Sequence, residues 1–275
     1  FVSGFSGGFL STLILHPFDL VRNRQAVNDG DPKRPKYGNQ MSIVRSVIKN
    51  EGARSLWRGV SPSIVGAGLS WGLYFPIYEH FKRQLQAHYG DSVPQYQYFF
   101  TGCITGALVL TLTNPIWVCK TQQCLQYEEG ALKRTRETFA QTLHRLYKME
   151  GLKGLYRGYY AGLFGTIHGG VQFFFLELFK SRLGVTKQNQ TNFQMLALPA
   201  ASKLIAGTLC YPQLLIRSRM QDQHRMYDSM RDCIRHTLRH EGFKGFYKGL
   251  STNLCRTIPS SVITFYTYEY LSKRS

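Results

Sequence analysis

A basic residue recurs five positions after three prolines of this chain, and one of these prolines is also followed by an acid. Asp19 lies two residues after Pro17, and Arg22 lies five residues after it. An acid and a base three residues apart on a helix can pair within it, or reach equivalent residues on a neighbouring helix. No nucleophile, base and acid form a set, and the six cysteines show no paired spacing. The predicted chemistry is therefore ion pairing and anion binding, with no catalytic residue, metal or cofactor.

The proline phrase occurs three times, and its base is kept each time. Pro17 is followed by Arg22, Pro115 by Lys120 and Pro212 by Arg217. The acid survives only as Asp19, because Trp117 and Leu214 stand at its other two positions. We therefore predict a gate at this end in which a single bond of a ring, from Asp19 to a neighbouring base, can form.

A second set of charges predicts a gate at the opposite end. These residues lie near the ends of alternate apolar stretches: Glu79, Lys82, Glu177, Lys180 and Glu269. Two charge rings, one at each mouth, suit a device that opens one end while the other is closed.

A second recurring phrase, acid-Gly followed by aromatic-base-Gly, locates the centre between the gates. Its final glycines are Gly59, Gly158 and Gly249, and seven residues later come Gly66, Gly165 and Arg256. Two glycines leave room, and one arginine offers a fork that suits a carboxylate or a phosphate. The alternative is a structural ion pair, for which its own apolar stretch offers Arg256 only the distant Glu269.

Other candidates for this central site each have a plain structural alternative. Trp71 and Tyr74 can stack on a flat ring or serve only in helix packing. His168 and Gln172 follow Gly165 at helical spacing, so they face the same cavity or form a buried polar pair. Asn253 is expected to share the face of the arginine three residues later.

Six apolar stretches must position these residues. They are nearly free of charge and cover 1–21, 60–81, 97–119, 159–179, 194–216 and 250–271. Each is long enough to cross a hydrocarbon core of about 30 Å. The net charge of +18 is concentrated in three segments between them, which places these loops on one side and both termini on the other. The alternative is a basic soluble protein that buries six helices.

We predict an all-α membrane protein with one domain of three repeats, 1–90, 91–187 and 188–275, that close around one another. Each basic loop carries a short amphipathic helix suited to a membrane surface. Lys203, in an apolar stretch, is expected to draw anions inward or to snorkel to the surface. The sequence starts inside an apolar stretch without an initiator methionine, so we expect it to have been trimmed.

These phrases resemble the mitochondrial carrier family, whose pattern is Pro-x-acid-x-x-base-x-base and then acid-Gly-x4-aromatic-base-Gly, in triplicate. The resemblance implies a three-fold pseudosymmetric bundle of six helices in the mitochondrial inner membrane. Its termini would face the intermembrane space, with a matrix gate at Asp19 and a cytoplasmic gate at Glu79. We expect a monomer. The resemblance also implies that cardiolipin binds at helix N-termini, through Arg58, Gly59, Arg157, Gly158, Lys248 and Gly249.

Further phrases are similar to the branch of this family that transports folate and FAD, including Gly66–Phe75, Gly165-Thr166-x-His168 and Arg219–His224. We therefore expect transport, by alternating access, of a large anionic metabolite with a ring. NAD or a pyrimidine nucleotide is the alternative within the family. Alternatives from other classes are a basic membrane-associated protein without transport, an enzyme and a nucleic-acid-binding protein, although we expect no nucleic-acid partner.

Overall fold

The computed structural model describes residues 2–29, 37–90, 94–127, 137–185, 191–224, 227–257 and 259–260. Over these ranges the chain is all-α, as the sequence predicted. Three repeats each supply one helix that carries the proline phrase, one short surface helix and one helix that follows the aromatic-base-Gly turn. The architecture is thus a bundle of helices built from three similar units.

The proline-bearing helices begin each repeat. They are α1 (Val2–Ala26), α4 (Gln95–Cys124) and the pair α8 (Asn192–Leu209) and α9 (Tyr211–Gln221). Pro17 and Pro115 lie inside continuous helices, whereas Pro212 lies in the first turn of α9, just after a break at Cys210. Proline lacks an N–H and tolerates the first helical turn, so the third break falls where the sequence permits it.

The second long helix of each repeat follows an aromatic-base-Gly turn. These helices are α3 (Val60–Tyr89), the pair α6 (Tyr159–Gly165) and α7 (Ile167–Arg182), and α11 (250–257). The second of them is interrupted at Thr166, directly after Gly165. The predicted sixth span continues beyond 260 and lies there outside the described residues.

Two described stretches, Tyr96–Cys124 and Tyr159–Arg182, are long and apolar enough on their own to cross a membrane, and Ala197–Leu209 is a shorter apolar helix. Over their described residues the remaining predicted spans also form helices, but these carry more polar or charged side chains. This is expected of helices that place one face on lipid and the other on a polar interior.

The surface helices pack their apolar faces on the proline-bearing helices. They are α2 (Gln40–Glu51), α5 (Phe139–Leu155) and α10 (Met230–Glu241). Ile43 and Val47 of α2 are buried against Leu20 and Val21. Asn39 and Thr138 cap the first two helices, because each side chain accepts a hydrogen bond from a backbone N–H of the first turn.

The glycines that end the second phrase set the contacts between repeats. Gly59, Gly158 and Gly249 have φ of +85°, +66° and +87°. A Cβ at Gly59 would lie 3.0 Å from the carbonyl oxygen of Lys120, and one at Gly158 would lie 3.1 Å from that of Arg217. A Cβ at Gly249 would lie 3.2 Å from the carbonyl oxygen of Arg22. Each turn therefore packs on the backbone of the next repeat, and the last returns to the first.

Candidate functional site

Asp19 holds the centre of the end at which the proline-bearing helices converge, here called the proline end. Its Oδ2 lies 2.9 Å from Nζ of Lys120 on α4. Its Oδ1 lies 2.9 Å from Nε of Arg256 on α11. The carboxylate is 2% exposed, so two cations from two other repeats neutralise a buried charge.

The other two bases of the proline phrase contact amides. Arg22 donates to Oδ1 of Asn253 at 3.5 Å and to Oδ1 of the adjacent Asn23 at 3.0 Å. Arg217 donates to Oδ1 of Asn114 at 3.5 Å. Amides take the place of carboxylates here because Trp117 and Leu214 stand at the two positions where acids could otherwise pair with these bases. Of the four residues predicted for the gate at this end, the structure therefore joins only Asp19 and Lys120 to one another.

A second ring of contacts lies one turn further along. Nε of Arg24 donates to the carbonyl of Cys124, the Gln122 side chain to that of Gln221, and Nε of Arg219 to that of Ala26. Each of these side chains comes seven residues after its proline and reaches the next repeat. The ring is complete even though its second member is glutamine, since an amide N–H also donates to a carbonyl.

The basic residues of the aromatic-base-Gly turns also point into protein. Arg58 donates to Oε2 of Glu51 at 2.9 Å and to the carbonyl of Gln126 at 2.8 Å. Lys248 pairs with Glu241 and donates to the carbonyl of Asn28, and Arg157 pairs with Glu150. These three side chains were predicted to bind cardiolipin. Their charges are engaged in holding each repeat to the next.

A cavity of about 340 Å³ does lie beside the first of these turns. The start of α3 at Gly59, Val60 and Ser61 borders it on one side, and Thr138 with Phe139, at the start of α5, borders it on the other. The rest of the lining consists of Arg54, Trp57, Arg58, Gln123, Gln126 and Glu137. Helix starts expose backbone N–H groups that favour an anion, and the one carboxylate among these described residues, that of Glu137, pairs with Arg145.

The main cavity lies between the repeats and measures about 450 Å³. Five predicted site residues line it: Gly165, Thr166, His168, Asn253 and Arg256. Two others of its lining residues are cations, Lys203 and Arg217. The lining contains no aspartate or glutamate among the described residues, so three cations share one cavity with no carboxylate on its wall.

Four predicted residues are not part of this lining. Gly66 is buried, and a Cβ there would lie 3.2 Å from Ile116 and 3.4 Å from the Trp117 ring. Trp71 is 62% exposed and stacks on Phe75, one turn along the same helix. Where Gly66 and Trp71 face depends on the rotation of α3 about its axis, which residue spacing alone does not fix.

Tyr74 and Gln172 are the other two. The Tyr74 ring stacks on that of Tyr78, with ring centres 5.9 Å apart, and its hydroxyl lies against Gly102 of α4. Gln172 is half-buried on α7. Tyr74 therefore serves a contact between helices in this structure.

Trp117 and Gln213 line the cavity and were missed as site residues. Gln213 lies against Gly165, where a Cβ would come 3.1 Å from its amide nitrogen. The Trp117 ring packs beside Gly66 and lies 5.4 Å from Nζ of Lys120. A usable signal was present for Trp117, because an aromatic ring in place of an acid beside a cavity offers a stacking surface.

The opposite end shows no ion pair between helices among the described residues. Glu79 pairs with Lys82 at 3.8 Å and Glu177 with Lys180 at 3.3 Å, each within its own helix. Glu269 lies outside the described residues. The molecule is therefore held together at the proline end, while these charges at the opposite end do not link helices.

Known proteins are similar to this chain over nearly its whole length. The family described as "Mitochondrial carrier protein" matches residues 1–89, 91–187 and 188–275. Mitochondrial nicotinamide adenine dinucleotide transporter 1 of Saccharomyces cerevisiae is 33% identical, over 99% of this chain and 76% of the relative. Folate transporter 1, chloroplastic, of Arabidopsis thaliana is 33% identical, over 98% and 93%. Nicotinamide adenine dinucleotide transporter 1, chloroplastic, of the same plant is 32% identical, over 98% and 90%. The chain belongs to the mitochondrial carrier family of membrane transporters.

Proposed function

We propose that this mitochondrial carrier moves a large anionic metabolite with a ring system across the mitochondrial inner membrane, and that FAD or a folate is the first candidate. The observation that carries the proposal is the cavity between the repeats, lined by Lys203, Arg217 and Arg256 without a carboxylate. Charges inside a membrane protein are costly, and of these three cations only Arg256 has a carboxylate partner among the described residues, in Asp19, so the remaining positive charge favours an anionic ligand.

The cavity offers different chemistry to the two parts of such a metabolite. Arginine binds a phosphate or a carboxylate through a planar fork, which suits Arg217 and Arg256. Trp117 supplies a flat surface for a ring, and Gly165 and Gly207 leave room for one. A phosphate-linked flavin or a folate fits this division, because each combines negative groups with a wide ring.

NAD is the second candidate within the same machine. Two of the relatives are named as transporters of nicotinamide adenine dinucleotide and one as a folate transporter, at nearly equal identity. Those names favour neither substrate. NAD carries a cationic nicotinamide ring beside its two phosphates, so three cavity cations favour FAD or folate over it on charge. A pyrimidine nucleotide is a further alternative.

The transport mechanism proposed is alternating access, with the cavity as a fixed site between two gates. The proline end would face the matrix, with Asp19, Arg22, Lys120 and Arg217 as its gate. Both termini and the charges at Glu79 and Glu177 would face the intermembrane space. The chain would act as a monomer, with cardiolipin held at the helix starts beside Gly59, Gly158 and Gly249.

The first test is a thermal-shift screen of the purified carrier against FAD, folate, NAD and pyrimidine nucleotides. A ligand that binds only the folded state stabilises it by about 2.7 kcal/mol at a hundred times its Kd. We expect FAD or folate to raise Tm most, and uptake of the same compound into proteoliposomes to follow. Binding without uptake would favour a membrane-associated binding protein, and a shift by NAD alone would replace the first candidate by the second.

The site assignment predicts that Arg256→Ala cuts substrate uptake into proteoliposomes by at least about 30-fold. Truncating one partner of a buried charge pair costs about 2 to 5 kcal/mol, and here the charge is also the anion's ligand. Arg83→Ala is the matched control, because Arg83 is exposed near the end of α3 and should leave uptake unchanged. Normal uptake by a folded Arg256→Ala carrier would remove Arg256 from the site.

A further inference from the structure

Asp19 is shared between the gate and the cavity. One carboxylate oxygen contacts Lys120 on α4 and the other contacts Arg256 on α11. Lys120 and Asp19 are 12% and 2% exposed and do not line the cavity, whereas the Arg256 side chain is 28% exposed and does. The same arginine therefore touches a buried carboxylate with one edge and the cavity with another.

A second contact joins the same two helices. Arg22, on α1 with Asp19, donates to Asn253, which lies one turn before Arg256 on α11 and also lines the cavity. Both polar contacts that α11 makes to the charged residues of α1 therefore use side chains of the cavity wall. In this structure both side chains are engaged by α1.

We propose that Asp19 is an internal competitor for the substrate's anionic group, which displaces this carboxylate from Arg256 and so loosens α1 from α11. The proposal rests on the proposed function, because it takes the cavity to be the substrate site. The ligand chemistry is a phosphate or a carboxylate, either of which can occupy the guanidinium fork that Asp19 contacts only through Nε.

Displacement has a definite effect on the gate. Once an anion holds Arg256, Asp19 keeps Lys120 as its partner, so the buried carboxylate still has a cation beside it, and the ionic contact between α1 and α11 is lost. A ligand can shift a two-state equilibrium only by its differential affinity for the two states. Competition for one arginine supplies that difference, because the substrate binds more tightly to the state in which Asp19 and Arg256 are separated than to the state in which they are paired.

The test measures anion affinity with inorganic pyrophosphate as the probe, by thermal shift of the detergent-purified carrier. In Asp19→Asn the competing carboxylate is gone, so Kd for pyrophosphate should fall roughly tenfold, within the usual range of coupling between sites. Asp228→Asn is the control, because it makes the same substitution at an exposed acid just before α10 that belongs to neither gate nor cavity. It should leave Kd unchanged.

A second variant covers the case in which Asp19→Asn fails to fold with two buried cations released. The double variant Asp19→Asn with Lys120→Gln keeps the local net charge of the native site, so any tighter binding comes from freeing Arg256 alone. Adding Arg256→Gln to it should abolish the gain, because the gain acts through that arginine.

Unchanged or weaker pyrophosphate binding in both Asp19 variants overturns the proposal, as does tighter binding that persists with Arg256→Gln. So does a carrier in which pyrophosphate binds neither the native protein nor the variants. Pyrophosphate that binds only when Asp19 is replaced supports it. The proposed function fails separately, if FAD, folate and NAD give neither a thermal shift nor uptake while the response to pyrophosphate stands.

Discussion

The bases at the proline end are unequally paired, because one carboxylate is the partner of two of them and the others contact amides. Asp19 contacts Lys120 and Arg256, while Arg22 and Arg217 rely on amide oxygens at 3.5 Å. An amide oxygen bears no net charge, so the two amide contacts are weaker than a charged pair. Among the residues of the proline phrases, ionic contacts at this end are therefore made only through Asp19. Arg217 contacts an amide instead of a carboxylate, and its side chain lines the cavity.

At the same scale, the glycines of the turns are limited by both conformation and space. Gly59→Ala places a Cβ at φ +85° and 3.0 Å from the Lys120 carbonyl, so we expect a loss of about 2 to 4 kcal/mol of stability. Gly184→Ala is the control, because Gly184 also has a positive φ, +62°, but no atom within 4 Å of the added Cβ. Equal losses of Tm in the two variants would show that close packing at Gly59 contributes nothing.

At the scale of elements, each surface helix is tied to its repeat by the acid at its end, but unequally. Glu51 pairs with both Arg24 and Arg58, and Glu241 with both Arg219 and Lys248. In the second repeat Gln122 replaces the first of these bases. The missing guanidinium is supplied from α5 itself, where Arg145 donates to Oε1 of Gln122 and pairs with Glu137.

This asymmetry predicts different sensitivity at equivalent acids. Glu51→Gln removes a charge that is 4% exposed and leaves two buried guanidinium groups, so we expect a loss of about 3 to 5 kcal/mol. Glu150→Gln removes a charge that is 28% exposed and serves Arg157, so it should cost less. Thermal unfolding of both variants in the same detergent compares the two losses of stability, and an equal fall in Tm would contradict the predicted difference.

At the scale of the whole molecule, the three repeats are closed into a ring by contacts that return from the last to the first. Arg219 donates to the Ala26 carbonyl and Lys248 to that of Asn28. Tyr227, 2% exposed, donates to Oδ2 of Asp29 at 2.9 Å. Closure of this kind lets three repeats that bury little alone form one stable body.

Tyr227→Phe tests that closure. Losing a hydrogen bond to a charged acceptor should lower stability by about 1.5 to 3 kcal/mol at pH 7, and Tyr147→Phe, at an exposed tyrosine of α5, should change little. Burial raises the pKa of Tyr227 above its ordinary value. The folded state therefore keeps its proton more tightly than the unfolded state. The stabilising effect is complete below the ordinary tyrosine pKa of about 10 and is lost as the pH rises above it. The difference in Tm between native carrier and variant should accordingly shrink at high pH, and a constant difference would argue against this contact.

The sequence by itself determined the family, the helices, the surface amphipathic helices and the turn glycines. The helices and turns follow from local periodicity and from the backbone limits of proline and glycine, which act over a few residues. The family follows from a short phrase that occurs three times along the chain. Counting from Gly158 and Gly249 also located Gly165 and Arg256 of the cavity, and helical spacing from these two located His168 and Asn253.

The tertiary structure alone decided which side chains meet. It gave Arg256 a partner in Asp19 on a helix far away in sequence, left Trp71 outside the cavity lining, and placed Trp117 and Gln213 in it. These outcomes depend on how far each helix rotates about its axis and how closely it approaches a neighbour from another repeat. A rotation of a fraction of a turn exchanges one wall residue for the next, and residue spacing along the chain does not set that rotation.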